Sequence, residues 1–595
     1  MGVLSLGLIL LSTAAVVMAE GEEGGAPPFN IHVALAGVYI AVIAGAVAIT
    51  LAWQAAARMS AYLRKISCLN NPTQRYFVSA STFLGPLKEH LIYAPLFGTR
   101  HNRELQLSKS LTLGTVPSRL QTLILFGVVG FNFLFVLVDL DFSSKELWDD
   151  FRSRTGAMAV ANLIPLVIFA GRNNPLIAIL HVSFDTFNFL HRWIARCIVL
   201  EAIAHALVTI VPVGQKGGTL AIGQLFQTDA FCLVGLVAVC GFMGLNVHSF
   251  SPLRHAFYET FLHTHIALVL VTFGFLWTHL NEYTEQRYFL LPAIIAWAAE
   301  RTVRLITLFR RNIGNGGTTV AVEALAGNAM RVTLFMARPW TFKPGQHVYL
   351  YLPSVGFWTS HPFSVAWSET RSMSLDKESM LTSFDEPSKT MSLVIKRQGG
   401  FTDKLYKRAA ESVGRPIYLT GFVEGPYGGI HEASSYGTVL LFAGGVGITH
   451  PFSFVRELVS GYANGTAAAR KVTLAWAIQS PDQVSWVYPW LMDLLEMERC
   501  EEVLRVKLFI TRPGNTEDMH RLVSETSHPS SRIVLQTLIG RPDPEKLIDE
   551  EIEQQVGAMG VMVCGSGSLS DGIRRACRKR QTRTHIDFIE ESFSW

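Results

Sequence analysis

Long apolar runs separated by short polar segments fill the first half of the chain, and near residue 310 they give way to shorter, mixed elements. Each run approaches the ~20 residues that a helix needs to cross ~30 Å of hydrocarbon. The predicted membrane helices lie at 31–53, 119–139, 155–171, 187–212, 228–247, 257–279 and 288–309. The pattern therefore predicts a polytopic α-helical membrane domain followed by a soluble half.

The two ends of this membrane half suggest an orientation. Residues 1–19 are apolar and end in Val17-Met18-Ala19 before Glu20, which is typical of a cleaved signal peptide, with a short extra membrane helix as the alternative. The segment 54–118 is rich in Lys and Arg, which predicts a cytoplasmic linker. An extracellular N-terminus followed by seven crossings then places the C-terminal half in the cytosol.

The soluble half changes its pattern once. Short alternating strands between Thr318 and Thr420, punctuated by Gly and Pro, predict an antiparallel β-barrel. The apolar strand Thr438–Phe442 then runs through a glycine turn into a helix at 451–460, which predicts an α/β nucleotide-binding domain with a parallel sheet. The predicted divisions are a signal peptide at 1–19, a first membrane helix with its cytoplasmic linker at 31–118, a second membrane domain at 119–311, a barrel at 312–432 and a nucleotide-binding domain at 436–595.

Four histidines stand in the membrane helices at a repeated spacing. His191 and His205 are fourteen residues apart on one predicted helix, and His265 and His279 are fourteen apart on another. Fourteen residues is almost four helical turns, so both members of each pair share a face, about 21 Å apart along the axis. Because imidazole is a common axial ligand of haem, the pattern predicts two stacked haem sites, each clamped by one histidine from each helix. Neighbouring His263 has no histidine fourteen residues further on.

Composition and charge mainly exclude other classes of function and site. Hydrophobic residues make up 49% of the chain, and the formal net charge is +4 without a dense Lys/Arg tract, so nucleic acid is not an expected partner. The seven cysteines are scattered without a CxxC pair, which indicates neither a disulfide framework nor a zinc site. The expected partners are the lipid bilayer and a redox substrate.

Several short motifs follow one another in a specific order. Taken with the paired histidines, they make the chain resemble the fungal ferric-chelate reductases, in the wider family that includes NADPH oxidases, over roughly residues 120–595. The motifs that carry this resemblance are Ala170–Leu176, His361–Ser364, Val423–Gly428, Gly444–Thr449, Cys564-Gly565 and Glu590–Trp595.

The resemblance implies a soluble half like ferredoxin reductases, and it implies FAD, two haems b and NADPH as cofactors. Ser364 would lie near the reactive edge of the flavin, Cys564 beside the nicotinamide and Trp595 over the flavin, the last two as catalytic residues. The residues implied for FAD are His361, Pro362, Phe363, Ser364, Val365, Gly400, Phe401 and Thr402. Those implied for the nicotinamide dinucleotide are Gly444, Gly445, Gly447, Ile448, Thr449, Cys564 and Gly565.

One position departs from the family pattern. Gln479 follows the strand that ends Trp476-Ala477-Ile478, where members of the family usually carry an arginine for the 2′-phosphate of NADPH. Arg512 or the region of Arg397 could take over that role, so NADPH is favoured and NADH is the alternative.

The resemblance also implies a direction of electron flow. Electrons would pass from NADPH and FAD to an inner haem at His191/His265, then to an outer haem at His205/His279. The final acceptor would be an extracellular ferric chelate or siderophore, or Cu(II), at the plasma membrane, with an iron permease/oxidase system as a candidate partner. The alternative functions are a superoxide-producing NADPH oxidase and, in another class, a catalytically silent scaffold or ion channel.

Overall fold

The computed structural model describes residues 30–108, 111–314, 317–357, 359–370, 389–412, 414–513 and 534–591. The predicted signal peptide and Trp595 therefore lie outside the described residues. The chain divides into two compact units. The first comprises Met1–Ala56, Leu105–Gly114 and Gln121–Val303, and the second comprises Ala57–Glu104, Thr115–Leu120 and Arg304–Trp595.

Long apolar helices build the first unit. Its main helices are α1 (Ile31–Cys68), α2 (Arg119–Leu137), α3 (Leu147–Ala161), α4 (Leu163–Ala170), α5 (Phe184–Thr228), α6 (Ala230–His248), α7 (Tyr258–His279) and α8 (Thr284–Asn312). Short helices at Leu84–Leu87, Pro175–Leu180 and Ser251–Ala256 and a hairpin of Leu105–Ser108 with Leu111–Gly114 lie between them in the sequence. Helix α5 is interrupted at Gly218, whose φ of 68° is not helical.

Six helices among the described residues are long and apolar enough to cross a membrane: α1, α2, α3 with α4, α5, α6 and α7. The seventh predicted segment, 288–309, is helical within α8 but is not one of the six. Its apolar face is broken by Glu300, Arg301 and Arg304. The division between the two units falls inside this helix, between Val303 and Arg304, so about 30 Å of α8 belongs to the membrane unit.

An antiparallel domain follows in the second unit. Its strands are β1 (Thr319–Leu325), β2 (Ala329–Phe335), β3 (Gln346–Tyr351), β4 (Ser360–Ser364), β5 (Trp367–Thr370), β6 (Lys389–Lys396), β7 (Ile417–Thr420) and β8 (Phe422–Gly428). One sheet has the order β5-β6-β2-β1-β7 and the other β8-β3-β4. Helix α9 (Phe401–Ala410) packs its buried Phe401 and Leu405 into the core between them.

A parallel domain completes the second unit. Its strands are β9 (Thr438–Gly444), β10 (Lys471–Ile478), β11 (Leu504–Ile510), β12 (Leu535–Ile539), β13 (Met559–Cys564) and β14 (Ile586–Glu591). Its main helices are α10 (Thr449–Ala463), α11 (Tyr488–Leu495), α12 (Pro544–Glu553) and α13 (Gly567–Arg578). The six strands are all parallel, in the order β12-β11-β10-β9-β13-β14. The two sheet types confirm the predicted fold class.

The segment 57–104 forms part of this second unit. Lys88 Nζ lies 2.5 Å from a carboxylate oxygen of Asp587, and the Arg64 guanidinium lies 4.4 Å from the centre of the Tyr436 ring. The Asp571 carboxylate accepts three backbone N–H groups, from residues 101–103. The sequence indicated a basic linker here but not its attachment to the nucleotide-binding domain.

Candidate redox centres

The four predicted histidines lie on two helices of the membrane unit, His191 and His205 on α5 and His265 and His279 on α7. The rings of His205 and His279 lie with centroids 6.3 Å apart and planes nearly perpendicular, at 87°. His265 lies within electrostatic range of His191. The structure therefore brings the His205 and His279 rings together and places His265 near His191, the grouping that the fourteen-residue spacing predicts.

Each histidine is held through its Nδ1 atom. The Nδ1 atoms of His191, His205 and His279 lie 2.9, 2.9 and 3.1 Å from the backbone oxygens of Leu166, Arg152 and Phe231. A carbonyl can only accept, so each Nδ1 carries the proton and each Nε2 keeps its lone pair. This is the arrangement of a metal-ligating histidine, whose other nitrogen is fixed by an outer partner.

His265 reaches the same state through a side chain. Its Nδ1 lies 3.4 Å from Ser249 Oγ, and that hydroxyl donates to the Leu245 carbonyl at 2.7 Å. Because the hydroxyl proton is committed to Leu245, Ser249 Oγ accepts from Nδ1–H. All four imidazoles therefore present Nε2 as the free ligand atom.

Glycines make room for two of these hydrogen bonds. Gly156 lies one helical turn after the Arg152 carbonyl, and a Cβ there would lie 2.9 Å from His205 Nδ1. Gly235 lies one turn after the Phe231 carbonyl, and a Cβ there would lie 2.6 Å from His279 Cε1. The missing side chains let each imidazole approach the neighbouring helix closely enough to reach its carbonyl.

The separation of the His205 and His279 rings matches that of two imidazoles bound to one metal atom. With metal–nitrogen bonds of about 2.0–2.1 Å and a ring radius of roughly 1 Å, two imidazoles on opposite sides of a metal have centroids about 6 Å apart. The observed separation is 6.3 Å. Among the described residues, no group of three or more His, Cys, Asp or Glu side chains forms a metal cage. The paired geometry suits a haem iron, whose other four ligands come from the porphyrin.

Residues predicted for FAD meet at the start of α9. Gly400 precedes this helix with φ 67°, and the helix has no side-chain cap. The space beside Gly399 and Gly400 is open, so the uncapped N–H groups can receive phosphate. Thr402 Oγ accepts from the backbone N–H of Gln398 at 2.9 Å and so holds this turn.

The predicted flavin strand lies beside this turn. The ring of His361, on β4, packs on Phe401 with centroids 4.5 Å apart. Pro362, Phe363 and Ser364 are partly exposed along the same strand, and these groups fit a flavin nucleotide. Val365 is buried in the core of the antiparallel domain, so its backbone is the part that can meet a ligand.

A buried carboxylate that the sequence did not single out braces this domain. Glu424 lies in the Val423–Gly428 motif and is fully buried. Arg304 lies 2.9 Å from one of its oxygens, and the hydroxyls of Tyr351 and Tyr427 donate to it at 2.9 and 2.6 Å. A buried charge is tolerated only when it is paired and hydrogen-bonded in this way. The motif thus anchors the end of α8 to β3 and β8.

The glycine turn and Cys564 meet at the end of the parallel sheet. Ala443 on β9 pairs with Cys564 on β13, and the chain then turns through Gly445, whose φ is 55°. A Cβ on Gly447 would lie 2.4 Å from the Cys564 carbonyl oxygen, so only glycine allows this approach. A Cβ on Gly444 would lie 3.3 Å from Gly565 Cα. The two strand ends are thus packed backbone to backbone.

Helix α10 begins directly after this turn, and its N-terminus can receive a dinucleotide phosphate. The Thr449 hydroxyl donates to the Val446 carbonyl at 3.2 Å, and Ile448 lies in the core. Backbone N–H groups are therefore the main hydrogen-bond donors to a phosphate at this position. Burial lowers the pKa of His450 to about 3, with smaller contributions from His431 and His347, so this ring adds no charge.

Cys564 has a restricted chemistry. It is buried, and burial raises the pKa of its thiol well above the usual range, with a smaller contribution from Glu591. The group remains a neutral thiol, which suits contact with a nicotinamide ring better than nucleophilic attack. The other predicted catalytic residue, Trp595, lies outside the described residues.

Gln479 and Arg512 lie side by side at the ends of β10 and β11. The Arg512 backbone N–H donates to the Gln479 carbonyl at 2.8 Å, and both side chains are exposed. Arg397, the other candidate for reading a 2′-phosphate, pairs with Asp403 at 2.7 Å in the antiparallel domain. Of these two arginines, the structure brings Arg512 next to Gln479.

Three family models match successive parts of the chain. A ferric reductase like transmembrane component matches residues 155–276, an FAD-binding domain matches 315–431, and a ferric reductase NAD binding domain matches 436–578. The first match includes His191, His205 and His265. The order of the three matches agrees with the order of membrane, antiparallel and parallel domains in the structure.

Curated relatives extend the similarity to most of the chain. Ferric/cupric reductase transmembrane component 2 of Saccharomyces cerevisiae is 26% identical over 90% of this chain and 75% of its own length. Ferric reductase transmembrane component 3 of the same yeast is 26% identical over 81% and 68%. Ferric/cupric reductase transmembrane component 1 of Candida albicans is 25% identical over 89% and 70%.

Proposed function

Because this chain belongs to the ferric reductase family, we propose that it is a membrane-spanning ferric-chelate reductase. It would use cytosolic NADPH, FAD and two haems b to reduce Fe(III), and Cu(II), outside the membrane. The two histidine pairs carry this proposal. Each pair offers two Nε2 atoms, so two protein nitrogens would hold each haem iron. Such closure suits electron transfer and leaves no open position for oxygen.

Residues of the second unit would bind the flavin and the nicotinamide dinucleotide. When bound, FAD would accept the two electrons of one hydride and release them singly, as haem requires. The α9 N-terminus would hold the flavin pyrophosphate, and His361–Ser364 would line the flavin. The Gly444–Thr449 turn would hold the dinucleotide, with Cys564 at the nicotinamide.

The course of the chain supports the proposed orientation. Both 57–104 and the part from Arg304 onward belong to the second unit, so they lie on one side of the membrane. Two segments on the same side of a membrane are joined by an even number of membrane-spanning helices. Between residue 104 and Arg304, helices α2 to α7 supply five spans when α3 and α4 count as one. Helix α8 is then the sixth span between them. Helix α1, which precedes the segment 57–104, brings the total to seven. Basic residues in 57–104 favour the cytosol for this unit, with the N-terminus outside.

The setting follows from this orientation. We place the protein in the plasma membrane, reached through the N-terminal signal, with His205/His279 as the outer haem and His191/His265 as the inner one. Its substrates would be extracellular ferric chelates or siderophores, and an iron permease/oxidase system would take up the product.

Membranes containing the protein are expected to reduce an Fe(III) chelate with NADPH as donor and to show a reduced-minus-oxidised haem spectrum with two haems per chain. Superoxide is measured in parallel, with and without the chelate. Oxygen-dependent superoxide without iron reduction would instead support an NADPH oxidase. A protein without haem absorbance would support a silent scaffold or channel.

Exchange of Gln479 for Arg is expected to raise the preference for NADPH over NADH about tenfold, which corresponds to ~1.4 kcal/mol. The new guanidinium would lie beside Arg512 and add a second charge for the 2′-phosphate. The measurement is kcat/KM for both nucleotides with an artificial flavin acceptor. Arg512→Gln is the matched variant and should lower the ratio. An unchanged ratio in both variants would place the phosphate elsewhere.

A further inference from the structure

A polar cluster lies in the interior of the membrane unit and has no part in the proposed ligand sets. Tyr39 from α1, Asn132 from α2, Asn162 between α3 and α4, and Glu201 from α5 are each at most 2% exposed. Apolar side chains surround them, including the buried Ile198. Burying four polar side chains together costs folding free energy unless they hydrogen-bond to one another, and polar residues retained at such a position commonly have a function.

Among the described residues, the partners of Glu201 in this cluster are neutral. The Tyr39 hydroxyl donates to Asn162 Oδ1 at 2.9 Å, and Asn162 Nδ2 donates to the two Glu201 oxygens at 3.1 and 3.4 Å. Asn132 adjoins both Tyr39 and Glu201. The titratable groups beside the carboxyl are Tyr39 from α1 and Cys197 from its own helix. Within the described ranges, no Lys or Arg forms an ion pair with it.

The carboxyl lies between the two histidine levels. Along α5 it is about 15 Å beyond His191 and about 6 Å before His205. His205 and His191 contact the backbones of α3 and α4, and Glu201 contacts Asn162 at the junction of these two helices. All three side chains therefore project from α5 toward the same neighbours, with Glu201 between the two proposed haems.

This placement makes the charge of Glu201 depend on the oxidation state nearby. A carboxylate with neutral partners in an apolar interior is unfavourable, but a positive charge close by offsets the cost. An oxidised haem carries one positive charge more than a reduced one. Glu201 is therefore ionised more readily beside an oxidised centre and protonated more readily beside a reduced one.

We propose that Glu201 is a proton-binding site coupled to electron transfer: it takes up one proton when an electron enters the haem level at His205/His279 and releases that proton when the electron leaves. The electron comes from the reduced flavin of the proposed function, on which this inference rests, and the proton comes from water. On uptake, an O–H bond of a hydronium ion breaks as the carboxyl O–H bond forms, and on release the proton returns to a water molecule. Net charge in the apolar interior then stays constant through each cycle.

The test is a spectroelectrochemical titration of the purified full-length protein at several pH values. The midpoint potential of the His205/His279 haem is expected to fall as pH rises. At full coupling, a tenfold change in proton concentration shifts the reduction equilibrium tenfold, about 59 mV for one electron. Glu201→Gln keeps the size of the side chain and one acceptor oxygen for Asn162 but cannot titrate, so it should flatten this slope, whereas Glu201→Asp should keep it.

A pH-independent potential in the unmodified protein, or an unchanged slope in Glu201→Gln, would overturn the proposal. Infrared difference spectra of the unmodified protein test the proposed protonation a second time, without any substitution. Reduction should add a protonated-carboxyl band that shifts in heavy water, and its absence would also overturn the proposal. Failure of the proposed function looks different, because it would appear as missing ferric reduction in membranes or as a protein without a haem spectrum, and not as a change in the pH slope.

Discussion

Replacing His205 or His279 with alanine is expected to remove one of two haems per chain and to lower ferric reduction at least about 100-fold. Loss of outer partners of metal ligands already costs about 10–100-fold, and loss of a ligand should cost more. NADPH oxidation with an artificial acceptor at the flavin should persist, because the flavin and nucleotide residues lie in the other compact unit. Haem is counted per chain from the reduced-minus-oxidised spectrum.

His263 provides the matched control for this experiment. It lies on α7 between the N-terminus of the helix and His265, but it is exposed and its Nδ1 lies 2.8 Å from the Glu259 carbonyl of its own helix. His263→Ala should keep both haems and full activity. Full ferric reduction in His205→Ala would show that this residue is not a haem ligand.

The pairing of the histidines could be predicted from the sequence because it depends on local periodicity. Fourteen residues return a helix to the same face whatever surrounds it, so two equal spacings identify two levels. The strand Lys471–Ile478 and the turn after Thr438–Phe442 were predictable for the same reason, since Gly and apolar runs act locally. These features require no knowledge of what each element packs against.

The supports of the site could not be predicted in this way. The carbonyls that hold His191, His205 and His279 lie 25, 53 and 48 residues away in the sequence. Gly156 and Gly235 look like ordinary small residues of membrane helices until the neighbouring imidazole is placed. Glu201 is one acidic residue in a long apolar helix, and only the fold brings Asn162 and Tyr39 to it.

Long-range contacts also explain the features of the soluble half that the sequence did not indicate. Lys88 and Asp587 are 499 residues apart, so a basic linker gives no sign of its partner. Arg304 could be assigned to a membrane helix by its apolar neighbours, yet it pairs with Glu424 in the second unit. In both cases a charge has its partner in a distant element, and composition alone cannot identify that partner.

Gly235→Ala is expected to release His279 and to lower outer-haem content and ferric reduction roughly 10–100-fold, the range found when outer partners of metal ligands are disturbed. The added Cβ would lie 2.6 Å from His279 Cε1 and 2.8 Å from its Nδ1, closer than atoms pack. The imidazole cannot retreat toward Phe231, whose ring stacks on it at 4.1 Å and whose carbonyl holds it. Haem per chain and ferric reduction are measured in membranes.

Gly244→Ala on the same helix separates this clash from any effect of alanine on α6. A Cβ at Gly244 meets nothing within 4 Å. Exchange of Gly for Ala within a helix is by itself favourable by about 0.5–1 kcal/mol, so this control should keep both haems and full activity. If Gly235→Ala behaved like Gly244→Ala, the Phe231 carbonyl would not be what positions His279. If Gly235→Ala lost only the outer haem while flavin-linked oxidation continued, a single missing methyl group would account for the placement of one ligand.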